Sequence, residues 1–175
     1  MTENILENKM SNYTNSIRLS LEYENWYAAL TLALTLPDIC GKLEFPHKSS
    51  SARFIHWFNN YLLDKYTKNI AGRSHVFLSG QDAYALRCAY LHQGEVNIEG
   101  QRIRKVLSEF SFYAPPKLSY IHCNKMNNSL QLQVDIFCME VCNAVELWVK
   151  DVSSDHLIQG RAKKLMTIHS FAPIY

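Results

Sequence analysis

An arginine and a histidine five residues apart, Arg87 and His92, are the residues of this chain best suited to phosphate chemistry. Arginine is a permanently charged, planar donor that matches phosphate oxygens, and histidine exchanges a proton near neutral pH. In an α-helix the two would lie roughly 140° apart around the axis and about 7.5 Å apart along it. They do not share a face, but the long arginine side chain reaches toward the helix end. The pair predicts a site that flanks a phosphate group at a helix terminus.

The surrounding sequence predicts one short, capped helix over 79–93. Ser79 is a favourable N-cap, and Asp82 three residues later complements the positive end of the helix dipole. Gly94 supplies the C-terminal stop. His92 therefore falls in the last turn, beside carbonyl groups that have no partner within the helix.

The same residues also fit a purely structural role, without catalysis. Arg87 would form an ion pair with an acid, either Asp38 or Glu44, and His92 would only cap carbonyl groups at the helix end. Asp38, which follows Pro37, is the acid that we expect near Arg87.

Composition bounds the class of protein. The chain has 175 residues, of which 47% are apolar and 19% are charged, as in a globular protein. This length predicts a single domain over 1–175. The net charge is only +2, so any affinity for RNA should be modest and sensitive to salt.

Targeting and cofactor signals are missing from the sequence. The polar first 15 residues contain no apolar signal-peptide core, and no run of about 18 apolar residues predicts a membrane span. The five cysteines are irregularly spaced in or beside apolar runs, which favours reduced thiols in a cytoplasmic protein. No CxxC or His-rich set predicts a metal, and no P-loop or GxGxxG predicts a nucleotide cofactor.

Periodicity predicts a mainly α architecture, a bundle of four to five helices. A small antiparallel β hairpin or sheet is expected at about 106–134, because apolar and polar residues alternate there. Pro37 should kink the first helix or start a new turn. The stretch 69–75 is expected to be a loop, 1–13 a flexible arm and 153–175 a tail. The predicted helices run over 16–36, 52–66, 79–93 and 135–152.

Arg87-Cys-Ala-Tyr-Leu-His92 fits an R-x4-H signature, and in this respect the chain resembles HEPN domains, which are small helical bundles. The resemblance covers roughly 16–152. Three segments of the surrounding sequence are similar to a group of small, uncharacterised bacterial proteins of this type. The segments that carry this likeness are Leu36-Pro-Asp-Ile-Cys-Gly41, Phe77-Leu-Ser-Gly-Gln-Asp82 and Leu91-His-Gln-Gly94.

The resemblance implies a function. Many HEPN members are metal-independent endoribonucleases of toxin–antitoxin, abortive-infection or CRISPR-associated systems, whereas others keep the fold without cleaving. By this likeness the chain would be a homodimeric RNase, a toxin or phage-defence effector restrained by a protein antitoxin or regulator. Arg87 would hold the scissile phosphate and His92 would transfer the proton. The alternative is a non-catalytic HEPN-fold module that binds RNA, a nucleotide or a protein partner.

Five further residues are expected to support this chemistry. Tyr84 and Cys88 lie on the same predicted helix as the pair. Cys88 occupies the position after the arginine, where active HEPN members often carry Asn, Asp or His. Arg102, Arg104 and Lys105 form a short basic cluster that either contacts RNA phosphates or is solvated surface.

Overall fold

Helices make up most of the described chain, which confirms the mainly α architecture. The structure is a computed structural model and describes residues 4–169. Within that range it has six α-helices, one more than the upper end of the expected number. They are α1 (Ile5–Glu22), α2 (Trp26–Glu44), α3 (Ser50–Tyr61), α4 (Gly80–Gln93), α5 (Val134–Val152) and α6 (His156–Ala162).

The amino-terminal segment is a helix from Ile5 onward, so the predicted flexible arm over 1–13 is wrong for the part that is described; residues 1–3 lie outside it. Asn4 caps α1, because its side chain accepts a hydrogen bond from the backbone N–H of Glu7 at 3.1 Å. The helix buries a narrow stripe. Its buried residues are Leu6, Met10, Thr14 and Ile17. A stripe this sparse is hard to detect in sequence, because packing rather than composition stabilises such a helix.

The helix expected over 16–36 is two helices in the structure. The chain turns at Glu24, whose φ of 55° is left-handed. Asn25 then starts α2, and its side chain accepts a hydrogen bond from Ala28 N at 3.4 Å. The apolar spacing continues across this break, so periodicity alone does not reveal it.

Pro37 lies inside α2, which continues to Glu44 instead of ending or restarting at the proline. Pro37 and the neighbouring Leu36 are buried. Tertiary packing therefore keeps this segment helical even though the proline removes one backbone hydrogen bond.

The segment expected to be a loop over 69–75 is a β-hairpin. Strand β1 (Thr67–Ile70) pairs antiparallel with β2 (Arg73–Val76), after a short 3-10 turn at Leu63–Tyr66. Ala71 and Gly72 connect the strands with positive φ values of 50° and 75°, the backbone that a tight hairpin turn requires. The strands are almost wholly exposed, so they carry no apolar alternation that would reveal them.

The predicted β segment over 106–134 is present, but it is a mixed sheet. Its strands are β3 (Glu109–Tyr113), β4 (Asn124–Met126) and β5 (Ser129–Gln133). β4 pairs antiparallel with β5, whereas β3 pairs parallel with β5. The antiparallel prediction is therefore wrong for β3. Alternation identifies a strand but not its direction, and the 15-residue connection over 114–128, which includes β4, permits the parallel pairing of β3 with β5.

The carboxy-terminal segment is partly helical. α6 buries Ile158 and Ala162, and Gln159 accepts a hydrogen bond from Leu6 N of α1 at 3.0 Å. The predicted tail over 153–175 is thus part of the bundle in its first half, and residues 170–175 lie outside the described residues.

Glycines allow close packing of the three helices that carry the candidate site. A Cβ on Gly41 of α2 would lie 2.8 Å from the carbonyl oxygen of Arg53 in α3. A Cβ on Gly80 of α4 would lie 2.6 Å from Asn59 Oδ1 and 3.1 Å from Ile55 O, both in α3. Backbone proximity therefore fixes α2 and α4 against α3.

Candidate functional site

The ends of α4 lie at the predicted residues. Ser79 Oγ accepts a hydrogen bond from Asp82 N at 3.1 Å. Gly94 has a φ of 71°, and its N–H donates to Tyr90 O at 2.9 Å. This left-handed glycine ends the helix, which leaves His92 in the last turn.

Arg87 and His92 lie next to each other, as their spacing predicts. Arg87 Nη1 is 3.4 Å from His92 Nε2. Because a guanidinium can only donate, the contact is a hydrogen bond when Nε2 is unprotonated. His92 is exposed, and the Arg87 side chain keeps 18% of its surface exposed. His92 is therefore open to a ligand at the end of α4, whereas Arg87 is only partly exposed there.

Asp38 is the acid beside Arg87, which confirms that expectation. Asp38 Oδ2 lies 3.4 Å from Arg87 Nη2, and Asp38 Oδ1 accepts a hydrogen bond from Arg53 Nε at 2.8 Å. Ser50 Oγ donates to the same carboxylate at 3.0 Å. The carboxylate therefore holds two guanidinium groups in place on α3 and α4.

Sequence reasoning did not include Ser50 and Arg53 in the site. Their separation of three residues places them on one face of the first turn of α3, which is the available signal. That this face meets Asp38 depends on the packing of α2 against α3, which the sequence does not show.

Tyr84 and Cys88 lie on α4 with the pair, and their support of the chemistry stays a prediction. The ring of Tyr84 packs edge-on against Phe54, with the ring centroids 5.3 Å apart. Burial raises the pKa of the Tyr84 hydroxyl, which also interacts with Ser50 and Cys88. Tyr84 therefore connects the first turn of α3 to the Arg87 side of α4.

Glu44 is not part of the site. It follows Asp38 by six residues, which places it roughly 120° away around α2. Its Oε2 accepts a hydrogen bond from Trp148 Nε1 of α5 at 3.1 Å. The expectation that Glu44 supports Arg87 is therefore wrong, because this carboxylate faces α5.

The basic cluster Arg102, Arg104 and Lys105 lies at the opposite end of α4. Asp82 Oδ1, in the first turn of α4, accepts a hydrogen bond from Lys105 N at 2.7 Å, and also from the next two backbone N–H groups. Asp82 is ten residues from His92, about 15 Å along the helix. Arg104 donates to two backbone carbonyl oxygens of its own loop. Contact of this cluster with RNA phosphates stays a prediction, and the cluster does not join the Arg87–His92 pair.

A second polar cluster, which sequence reasoning missed, joins α5 to the 114–123 connection. Tyr66 Oη donates to Glu140 Oε2 at 2.6 Å, and His122 Nε2 lies 3.4 Å from the same oxygen. Gln133 N donates to His122 Nδ1 at 3.3 Å. Burial acts to raise the pKa of Glu140, but the interactions with the nearby His122 ring and the Tyr66 hydroxyl outweigh it and lower the pKa.

Metal and membrane features were sought over residues 4–169. No three His, Cys, Asp or Glu side chains in that range lie close enough together to hold a metal ion. None of its helices is long and apolar enough to cross a membrane. All five cysteines are free thiols.

Comparison with known proteins gives no match. No protein-family model matches the chain, and neither the curated proteins nor the solved structures contain a match to it. A functional argument for this protein therefore depends on its own residues.

Proposed function

We propose that this protein is a metal-independent endoribonuclease of the HEPN type, with Arg87 and His92 as its catalytic residues. The observation that carries the proposal is the 3.4 Å contact between Arg87 Nη1 and His92 Nε2 at an exposed helix end. Asp38 pairs with Nη2 of the guanidinium, and Nη1 meets the imidazole at the helix end, where a phosphate would approach.

The chemistry follows from these two groups. Unprotonated His92 accepts the proton of a ribose 2′-hydroxyl, and the 2′-oxygen attacks the adjacent phosphorus. Arg87 donates to the phosphate oxygens, on which negative charge grows. The bond from phosphorus to the 5′-oxygen breaks, and the leaving oxygen takes up a proton. The products carry a 2′,3′-cyclic phosphate and a 5′-hydroxyl.

A homodimer would complete the site. One imidazole that has accepted a proton cannot also donate one to the leaving oxygen at the same moment. A second copy of His92, brought close by a two-fold axis, supplies that acid.

The test is cleavage of a single-stranded RNA in the presence of EDTA. We expect wild-type protein to release 2′,3′-cyclic phosphate ends and His92→Ala to lower the rate by about 10²- to 10⁴-fold. Arg87→Lys should also be slow, because an ammonium does not replace a planar two-pronged donor. His75→Ala, at an exposed position in β2, is the matched control and should cleave like wild type. Undiminished cleavage by His92→Ala would overturn the assignment of the base.

One observation favours a non-catalytic RNA-binding module as the second candidate. His92 Nε2 already faces Arg87 Nη1 at 3.4 Å, so the lone pair that would accept the 2′-hydroxyl proton is directed at the guanidinium. Under this candidate the same RNA binds with a salt-dependent affinity, Arg87→Lys weakens binding, and no cyclic phosphate forms at any protein concentration.

A further inference from the structure

A small aromatic cavity of about 240 Å³ lies where the start of α2 meets the end of β3. Leu30 forms part of its buried floor. Its aromatic lining includes Trp26, Tyr27 and Tyr113, and Tyr27 is 78% exposed. None of these three rings pairs with another ring in the described part of the chain. The cavity therefore offers aromatic surfaces that no protein ring covers.

The cavity lies on the side of α2 that carries the candidate site. Tyr27, Thr31 and Asp38 follow each other at spacings of four and seven residues, which places them along one stripe of the helix. Tyr27 begins this stripe at the cavity, and Asp38 ends it at the paired guanidinium groups.

α4 crosses the same stripe in the opposite direction. Tyr90 Oη lies 3.4 Å from Thr31 Oγ1, and Arg87 Nη2 lies 3.4 Å from Asp38 Oδ2. The step from Arg87 to Tyr90 along α4 therefore corresponds to the step from Asp38 back to Thr31 along α2, toward the start of α2. His92 lies two residues further in that direction, on the cavity side of Arg87.

The residues that line the cavity indicate which kind of chemical group it binds. All seven lining residues are apolar or aromatic and none is charged, so the cavity suits a neutral ring and not a phosphate. Its volume is below the roughly 300 Å³ at which pockets for drug-sized ligands begin, which fits one ring system. Nucleobases stack on exposed aromatic side chains in single-strand binding proteins.

We propose that this cavity binds one base of a single-stranded RNA whose backbone phosphate lies at Arg87 and His92. The choice of RNA rests on the proposed function, and the position and lining of the cavity assign the base. Tyr113 is suited to a fixed wall, because its hydroxyl accepts a hydrogen bond from Gln131 Nε2 at 3.2 Å. Tyr27 supplies the exposed wall.

The experiment measures binding of a single-stranded RNA hexamer whose 2′-hydroxyls are methylated, so that it cannot be cleaved. An abasic hexamer with the same phosphates is the second probe. Trp26 is a built-in reporter, since Trp57 and Trp148 are fully buried and Trp26 lines the cavity. The variants are Tyr27→Ala and the conservative Tyr27→Phe. Tyr23→Ala is the matched control, because Tyr23 is similarly exposed but does not line the cavity.

We expect the hexamer to quench tryptophan fluorescence and Tyr27→Ala to weaken its binding by about 5- to 100-fold. Tyr27→Phe and Tyr23→Ala should bind within about twofold of wild type, since stacking needs only the ring. The abasic hexamer should bind wild type and Tyr27→Ala equally.

Unchanged hexamer binding by Tyr27→Ala would overturn the inference, and so would equal affinity of the wild-type protein for the two hexamers. It would also be overturned if Tyr27→Ala changed only self-association, since the cavity would then be a protein interface. If the protein cleaves RNA but gives any of these results, the proposed nuclease is kept and the base site at the cavity is rejected. Base-dependent binding without cleavage of unmodified RNA leaves the cavity assigned and removes the nuclease. If neither hexamer binds, the base site fails, and cleavage of unmodified RNA decides the nuclease separately.

Discussion

A single carboxylate organises the candidate site. Asp38 contacts Arg53 and Arg87, and all three side chains keep 16–18% of their surface exposed. For charges that are buried to this extent, the cost of desolvation offsets much of the gain from pairing. The main effect of the pairing is to orient the arginine: Asp38 fixes Arg87 Nη2 and leaves Nη1 directed at His92.

Glu140 gives a pH-dependent prediction at the residue scale. Its pKa in the folded protein lies below the ordinary value of 4.5, so its contribution to stability is present above about pH 4.5 and is lost as the pH falls through the folded pKa. We expect Glu140→Gln to lower the unfolding free energy by about 1–3 kcal/mol at neutral pH. The difference from wild type should shrink below about pH 4.5.

Urea midpoints measured from pH 7 to pH 3 check this prediction. Glu109→Gln is the control, because Glu109 is exposed in β3 and should follow wild type throughout. A gap between wild type and Glu140→Gln that stays constant with pH would contradict the assignment of the lowered pKa to this carboxyl group.

At the scale of the elements, the contact between α2 and α3 positions the two arginines. A methyl group at residue 41 would sit 2.8 Å from Arg53 O, closer than packed atoms tolerate. We expect Gly41→Ala to push the helices apart and to cost about 1–3 kcal/mol, measured by chemical denaturation. Because Arg53 Nε is bound to Asp38, the proposed RNA cleavage should also fall.

Gly160 supplies the matched control for Gly41. It lies within α6, and nothing lies within 4 Å of the position that its Cβ would occupy. Gly160→Ala should be neutral or stabilise by up to about 1 kcal/mol, because alanine favours the helix. Equal effects of the two substitutions would show that no close contact exists at Gly41.

At the scale of the whole molecule, the two end segments of the described chain are joined. Gln159 of α6 accepts from Leu6 N and donates to Asn4 Oδ1, and Arg161 Nε donates to Leu43 O of α2. Helix α6 thus links α1 and α2, although it has only seven residues. Its stability must come from packing, since an isolated helix of this length does not form.

Adjacent residues of α6 test this role. Ile158 is 2% exposed and Leu157 is 72% exposed. We expect Ile158→Ala to lower the unfolding free energy by about 2–5 kcal/mol and Leu157→Ala to change it by less than about 0.5 kcal/mol, both measured by urea denaturation. If Ile158→Ala left the unfolding free energy unchanged, α6 would not be packed on the bundle.

The sequence by itself determined the parts of this protein that local chemistry controls. Ser79 and Gly94 fixed the ends of α4 because capping depends on a few adjacent residues. The five-residue spacing of Arg87 and His92 brought them together because helix geometry is regular. The long amphipathic helix α5 was likewise readable from its periodic apolar face.

Only the tertiary structure decided which distant groups meet. Ser50 and Arg53 join Asp38, and Glu44 turns instead to Trp148, because the choice depends on how α2 packs against α3 and α5. The parallel pairing of β3 was decided in the same way. Local propensity describes short stretches of backbone, whereas such partners are selected by the packing of elements far apart in the chain.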